Sequence, residues 1–206
     1  MKINIILNRL LHFVELTYIP TIGKNIYLTF DDGPEEDITN FILDELEKYS
    51  YKATFFCCGQ NVEKYPKLVE KIAKSNHAIA NHTYSHSLGF STKTADYVKD
   101  VIMGKEVISI VSKKNCHYFR PPGGEITLIQ YLKLFFHNKI VYWSIVSDDH
   151  RKIIDFDLCF DNLVNKTRRG SIVLFHFSKE HEKGTKLLLP AYLKWLHTNG
   201  FSSKAI

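Results

Sequence analysis

The amino-acid sequence predicts an α/β fold, a succession of about six or seven strand and helix units curled into a small barrel. Three observations lead there. Short apolar runs alternate with segments of helical periodicity. No Gly/Ser/Pro-rich linker, repeat or low-complexity tract divides the chain from about residue 24 onward. Acids, bases and a cation follow the apolar runs, as expected where a parallel barrel carries chemistry at the C-terminal ends of its strands.

Each element is read in order. Ile26 to Phe30 forms a first buried strand, cut off by Asp31, Asp32 and the turn pair Gly33-Pro34. A helix follows with Ile38, Phe41, Ile42 and Leu46 on one face, then the strand Ala53 to Phe56. Val62, Tyr65, Leu68, Val69 and Ile72 make a second helical stripe leading to the strand His77 to Ala80. A third helix runs from about Thr92 to Ser112, and "CHYFR" and "IVYWSIV" read as strands with a helical segment between them. Asp157 to Arg168 reads as helix, "SIVLFHF" as strand, and Leu187 to His197 as an amphipathic helix. Such a strand, helix, strand order gives a parallel sheet with helical crossovers.

Bulk properties exclude several classes. At 206 residues one domain buries roughly 70% of its unfolded surface. With 45% hydrophobic and 24% charged residues the composition is that of a globular protein. A net charge of +5 from dispersed lysines serves solubility and does not predict nucleic-acid binding. Cys57, Cys58, Cys116 and Cys159 have neither disulfide-framework nor zinc-cluster spacing and read as reduced core thiols. Residues 1–23 form an N-terminal segment, expected as a short helix packed on the domain of residues 24–206. Arg9, His12 and Glu15 interrupt its apolar residues, so it resembles neither a secretory signal nor a membrane span. The default expectation is therefore a cytoplasmic protein with no integral membrane segment, a membrane-surface or extracytoplasmic location being the alternative. Nothing in the sequence sets an oligomeric state.

The strand ends hold a constellation. Asp31-Asp32 follow the first strand, His82 and His86 the third, Arg120 the next, Asp148-Asp149-His150 follow "VYWSIV", and His176 ends "IVLF". Two adjacent carboxylates repel unless a cation offsets them. Two His with one carboxylate form a divalent-metal site of the catalytic kind, and His82 and His86 point at one place if their backbone turns helically. One aspartate would then ligate the metal, and the other remain a proton acceptor.

"TFDDGP", "HTYSH", "RPPGG" and "LFH", in this order, resemble the polysaccharide deacetylases of carbohydrate esterase family four, the nodulation-factor deacetylase homology domain, from about Ile26 to Phe201. The resemblance implies a distorted, incomplete (β/α) barrel of about seven units. It implies a hydrolase that removes acetyl groups from N-acetylated sugars of a glycan with a divalent metal, usually zinc, with cobalt, nickel or manganese as alternatives. By the family pattern Asp32, His82 and His86 are the metal ligands, Asp31 the general base, His176 the general acid and Arg120 the residue that orients the base.

Departures from the pattern lie in the walls. Gly123 and Gly124 stand where an aromatic usually follows Arg-Pro, Val146 and His150 replace an aspartate and a tryptophan, and Phe177 replaces an aspartate after His176. Asp149 survives in the altered motif as the expected partner of His176. These changes imply retained hydrolysis on an unusual acceptor. Two other readings stay open, an amide hydrolase of the same fold acting on a small non-sugar amide or imide, and a catalytically silent carbohydrate-binding relative. Of the remaining residues, Trp143 and Trp195 read as core, His77 and His117 as structural, and His181 as a solvated loop residue that could frame the groove.

Overall fold

A computed structural model describes residues 17–206. The helix expected in residues 1–23 falls, for residues 1–16, outside the described residues. Residues 17–23 are bends and extended chain, with Tyr18 bridged antiparallel to Ser171. The chain then alternates as the periodicity predicts, through β1 (Asn25–Asp31), α1 (Glu36–Glu47), β2 (Ala53–Cys57), α2 (Gly59–Lys64), α3 (Pro66–Lys74), β3 (Ala78–Asn81) and α4 (Thr94–Ser112). It continues through β4 (Tyr118–Phe119), α5 (Leu128–Leu134), β5 (Lys139–Ile140), β6 (Ile145–Val146), α6 (Phe156–Lys166), β7 (Ile172–His176), α7 (Glu182–Thr198) and β8 (Ser202–Ser203).

All strand pairs are parallel and the order is β5-β4-β3-β2-β1-β7-β6, with β8 beside the start of β1. The sheet curls but does not close, which is the incomplete barrel. Each long strand is buried on both faces, the reason it reads as an unbroken apolar run. Ile26, Leu28 and Phe30 of β1 pack outward with Phe55, Val173 and Phe175 against the helices. Tyr27 packs with Phe56, Ala80, Val141 and Ile172 in a second, separate cluster inside the curl.

Two elements differ from expectation. The second helical stripe is two helices, α2 and α3, because Pro66 lacks the N–H that a continuous helix would need and begins α3 instead. The single strand expected in "IVYWSIV" is also divided. β5 and β6 are the two ends of the sheet, so residues 141–144 cross the open seam from one edge to the other. Neither edge pairs with this crossing as a continuous ladder: the Val141 N–H donates to the Phe119 carbonyl and the Ser144 N–H to the Ile172 carbonyl, both at 2.9 Å, and side chains add to these. Arg120 donates from Nε to the Val141 carbonyl at 3.2 Å and from Nη2 to the Tyr142 carbonyl at 2.8 Å, while the Ser144 hydroxyl accepts from the Ile172 N–H at 3.0 Å. The guanidinium is fully buried and lies 4.1 Å over the Phe56 ring. Arg120 thus braces the open seam from inside.

Candidate active site

β1 and β7 are in register with Asp31 opposite His176, which sets an acid and a base side by side at the C-terminal rim. Successive strand residues point to opposite faces, so Asp31 and Asp32 reach one cleft only because the strand ends between them. Asp32 takes a left-handed backbone, φ +83°, and the Asn61 amide secures its carbonyl at 2.7 Å. Thr83 and His86 are also left-handed, at φ +65° and +60°. The loop 82–87 is therefore not the helical turn that the spacing of His82 and His86 suggests. The Gly59 N–H donates to the Thr83 carbonyl and the Asp100 carboxylate accepts from the Ser85 N–H, so α2 and α4 clamp it. α4 comes this close through Gly104, where a Cβ would stand 2.6 Å from both the Asn81 side chain and the Thr83 backbone. Non-glycine residues held at positive φ by their surroundings concentrate where geometry is part of function.

The side chains converge on a cleft of about 390 Å³, which holds Asp31, Asp32, His82, His86, His150, His176 and His181. A larger hollow of about 570 Å³ between α4 and α5 contains none of them. Oδ1 of Asp32 lies 3.3 Å from Nε2 of His82 and 3.1 Å from Nε2 of His86. Nδ1 of His82 donates to the Arg120 carbonyl at 2.8 Å, which orients the ring and leaves Nε2 toward the cleft. Burial alone would raise the Asp32 carboxyl, yet the two imidazoles hold it well below the usual range, and the same contact with Asp32 lifts His86. Asp31 stands apart from this trio, its Oδ1 accepting from Nη1 of Arg120 at 2.7 Å while Oδ2 lies 3.8 Å from His82. Thr29, two residues earlier on the same strand face, accepts from the same Nη1 at 2.8 Å.

Across the cleft, Nδ1 of His176 donates to Oδ1 of Asp149 at 2.7 Å. Oδ2 of Asp149 accepts from the His176 N–H and from the Thr185 hydroxyl, both at 2.8 Å. Burial would depress His176, but the Asp149 hydrogen bond and charge outweigh it and hold the imidazole at about 9. His77 shows the opposite balance. Buried beside Lys52, it is pushed down to about 4 and accepts from the Ala53 N–H through Nδ1, a structural role as expected from its place at a strand start.

The structure thus brings Asp31, Asp32, His82, His86, Arg120, Asp149 and His176 to one rim. It also corrects one reading and extends another. His181 is not a solvated loop residue. Its side chain is 17% exposed, its ring packs 4.7 Å from that of His176, and its Nε2 is 3.8 Å from Oδ2 of Asp32. Trp143 packs on the inner cluster as expected, but it is only partly buried and its ring also lines the cleft with Leu88, Val146 and Leu174. Gly124, at φ +70°, makes room for it, since a Cβ there would lie 3.1 Å from the indole. Sequence reasoning also missed Thr29 and Thr185. Period-two alternation back from Asp31 points to Thr29, whereas no local pattern marks Thr185 or His181. The four cysteines are free and buried, as expected.

The sequence profile of the polysaccharide deacetylases matches residues 19–132. A peptidoglycan-N-acetylglucosamine deacetylase of Bacillus cereus is 35% identical over 183 residues, covering 88% of this chain and 66% of the relative. The peptidoglycan-N-acetylmuramic acid deacetylase PdaA of Bacillus subtilis is 32% identical over 181 residues, again matched along 66% of its length. The chain therefore spans slightly less than two thirds of these relatives. A crystal structure of a peptidoglycan N-acetylglucosamine deacetylase in complex with 4-naphthalen-1-yl-N-oxidanyl-benzamide superposes with a TM-score of 0.85 at 32% identity, over 92% of this chain and 89% of that one. With motifs, curled parallel sheet and similarity in agreement, the chain belongs to the polysaccharide deacetylase family, carbohydrate esterase family four.

Proposed function

We propose that the protein is a metal-dependent N-deacetylase acting on N-acetylated sugars of a glycan. The observation that carries this reading is the separation of roles on the rim: Asp32 meets Nε2 of two imidazoles, while Asp31, its neighbour, is tied to Arg120 instead. The first three donors fit a divalent cation. They combine one carboxylate oxygen with two His Nε2 atoms, and the Nδ1 of His82 is engaged by a backbone carbonyl, the outer arrangement that orients a metal-binding histidine. Zinc suits this set, and cobalt, nickel or manganese are alternatives. When bound, the metal supplies Lewis-acid polarisation of the acetyl carbonyl and lowers the pKa of a coordinated water from 15.7 to roughly 7.

The chain's own residues do the rest. Asp31 takes the proton of the attacking water on the oxygen that Arg120 leaves free. Arg120, locked between Thr29 and the carbonyls of the seam, keeps that carboxylate from rotating away. His176 delivers a proton from Nε2 to the departing amine nitrogen, a poor leaving group without it, and Asp149 holds the ring in the tautomer that permits this. Leu88, Trp143, Val146 and Leu174 give the cleft apolar walls that thin out competing water.

Acetylated glycans such as peptidoglycan are the substrate class that the relatives' names support. Peptidoglycan lies outside the cytoplasm, so this reading leaves the cytoplasmic expectation without support. Among the described residues no helix is long and apolar enough to cross a membrane. Acetate release from N-acetylglucosamine oligomers, peptidoglycan fragments and acetylated lipid-linked sugars, beside a panel of small amides, tests the proposal. Release from a glycan that stops on chelation and returns with metal is the expected result. Turnover of small amides alone would favour the amide-hydrolase alternative, and metal-loaded protein inert on every substrate would favour the silent relative.

A further inference from the structure

We infer that the cleft carries a second divalent-metal position, formed by Asp32, His176 and His181, whose occupation inhibits the reaction proposed above. The donor atoms of these three residues lie within 4.8 Å of one another. Asp32 can serve both positions because its two oxygens face different ways. Oδ1 is directed at His82 and His86, whereas Oδ2 is directed at Nε2 of His181, 3.8 Å away. A carboxylate that offers one oxygen to each of two cations is the usual bridge in two-metal centres, where the ions stand about 3.5–4 Å apart.

His176 is prepared for this second use by the contact that prepares it for the first. Its Nδ1–H is committed to Asp149 at 2.7 Å, so Nε2 is left toward the cleft, and a carboxylate on the far nitrogen is the common outer partner of a metal-ligating histidine. His181 is held rather than loose. Its N–H donates to the Ser178 carbonyl at 3.2 Å, its own carbonyl accepts from the Thr185 hydroxyl at 3.2 Å, and its ring stands edge-on to His176. The His150 ring, 5.4 Å from that of His176 and 6.3 Å from that of His181, closes the outer side of the group.

The consequence follows from sharing. A cation coordinated to Nε2 of His176 occupies the lone pair that must carry the proton to the leaving amine, so the second metal removes the acid while leaving the first metal in place. The protein is then active with one equivalent of metal and inhibited by excess, and free divalent metal becomes a brake on deacetylation. This inference rests on the proposed assignment of Asp32, His82 and His86 to the first position.

Equilibrium dialysis of the full chain with zinc alone, with cobalt absorption as an independent signal, tests it. The wild type should bind two equivalents in separated steps, and His181→Gln should keep the first while weakening the second by at least the roughly 10–100-fold that loss of even an outer partner costs. His176→Gln, which attacks the same position from the other side, should do likewise, and the thermal transition of each variant reports whether it folds. The ratio of turnover at excess zinc to turnover at one equivalent should fall for the wild type and stay near one for His181→Gln, whatever its basal rate. A single equivalent in the wild type, lost in His86→Ala, overturns the second position and spares the first. Two equivalents bound as tightly by His181→Gln as by the wild type also overturn it. No binding at all, or a single equivalent lost in His181→Gln and kept in His86→Ala, overturns the assignment on which it rests.

Discussion

The two walls of the cleft are held by different means. On the wall of Asp31, Asp32, His82 and His86 the anchors are several, a left-handed backbone at residues 32, 83 and 86 and a buried arginine side chain bound to the carbonyls of 141 and 142. On the wall of His176 and His181 the anchor is one side chain, Asp149, which accepts three hydrogen bonds from His176 and Thr185. The first wall is part of the barrel's closure, so disturbing it disturbs the fold; removing one partner of a buried pair such as Arg120 and Asp31 costs about 3–5 kcal/mol. The second wall takes no part in that seam, although Asp149 is itself buried. Of the substituted positions, Val146 and His150 line the cleft beside His176, whereas Phe177 is buried in the main core with its ring 5.2 Å from that of Phe55.

The sharpest way to break the comparison is to separate the neighbours on the first wall. Asp31→Asn should lower turnover by roughly 10²–10⁴-fold, the span for loss of a general base, with metal affinity nearly unchanged. Asp32→Asn should instead lower metal occupancy, measured by elemental analysis after dialysis. Equal metal loss in the two variants would refute the division of labour.

A smaller effect is expected on the second wall, where it should appear as a pH shift. In the proposed role His176 donates a proton, so activity should be present while the imidazole is charged and be lost as pH rises through the value of about 9 that Asp149 helps to maintain. Asp149→Asn removes the strongest interactions that raise this value and leaves burial, which lowers it, opposed only by the charges of Asp32 and Asp31, so the alkaline limb should move to lower pH, toward the ordinary histidine value of about 6.5. A rate profile whose alkaline limb stays where it was takes Asp149 out of the mechanism.

The smallest effect is expected at Gly124, between the walls. Alanine at φ +70° costs roughly 1–2 kcal/mol and its Cβ would press on the Trp143 indole. Gly124→Ala should lower the thermal transition modestly and raise KM for a glycan more than it lowers kcat. A change confined to kcat would mean that Trp143 does not wall the substrate.

Legibility divided along the same line. The metal-binding candidates and their order along the chain were readable, because "TFDDGP" and "HTYSH" are short segments whose residues act beside one another. His181 was not, because its meaning depends on Asp32, far away in the chain, and its own surroundings, "SKEHEKG", have a solvated composition. Trp143 packs on the inner core as its apolar run suggests, and only the structure shows that a glycine with positive φ leaves a space in front of it and opens its ring to the cleft.

Periodicity, turn residues and Pro punctuation are local properties, and they determined the alternation of strands and helices, the parallel sheet and the polar rim. What the tertiary structure decided is which distant groups meet. Arg120 reaches Asp31 across 89 positions, and the same guanidinium fills a seam that exists only because β5 and β6 end on opposite edges of the curl. Asp149 meets His176 across 27 positions through the register of β6 with β7. Such meetings are set by sheet order and curvature, to which every strand contributes, and no stretch of sequence contains them.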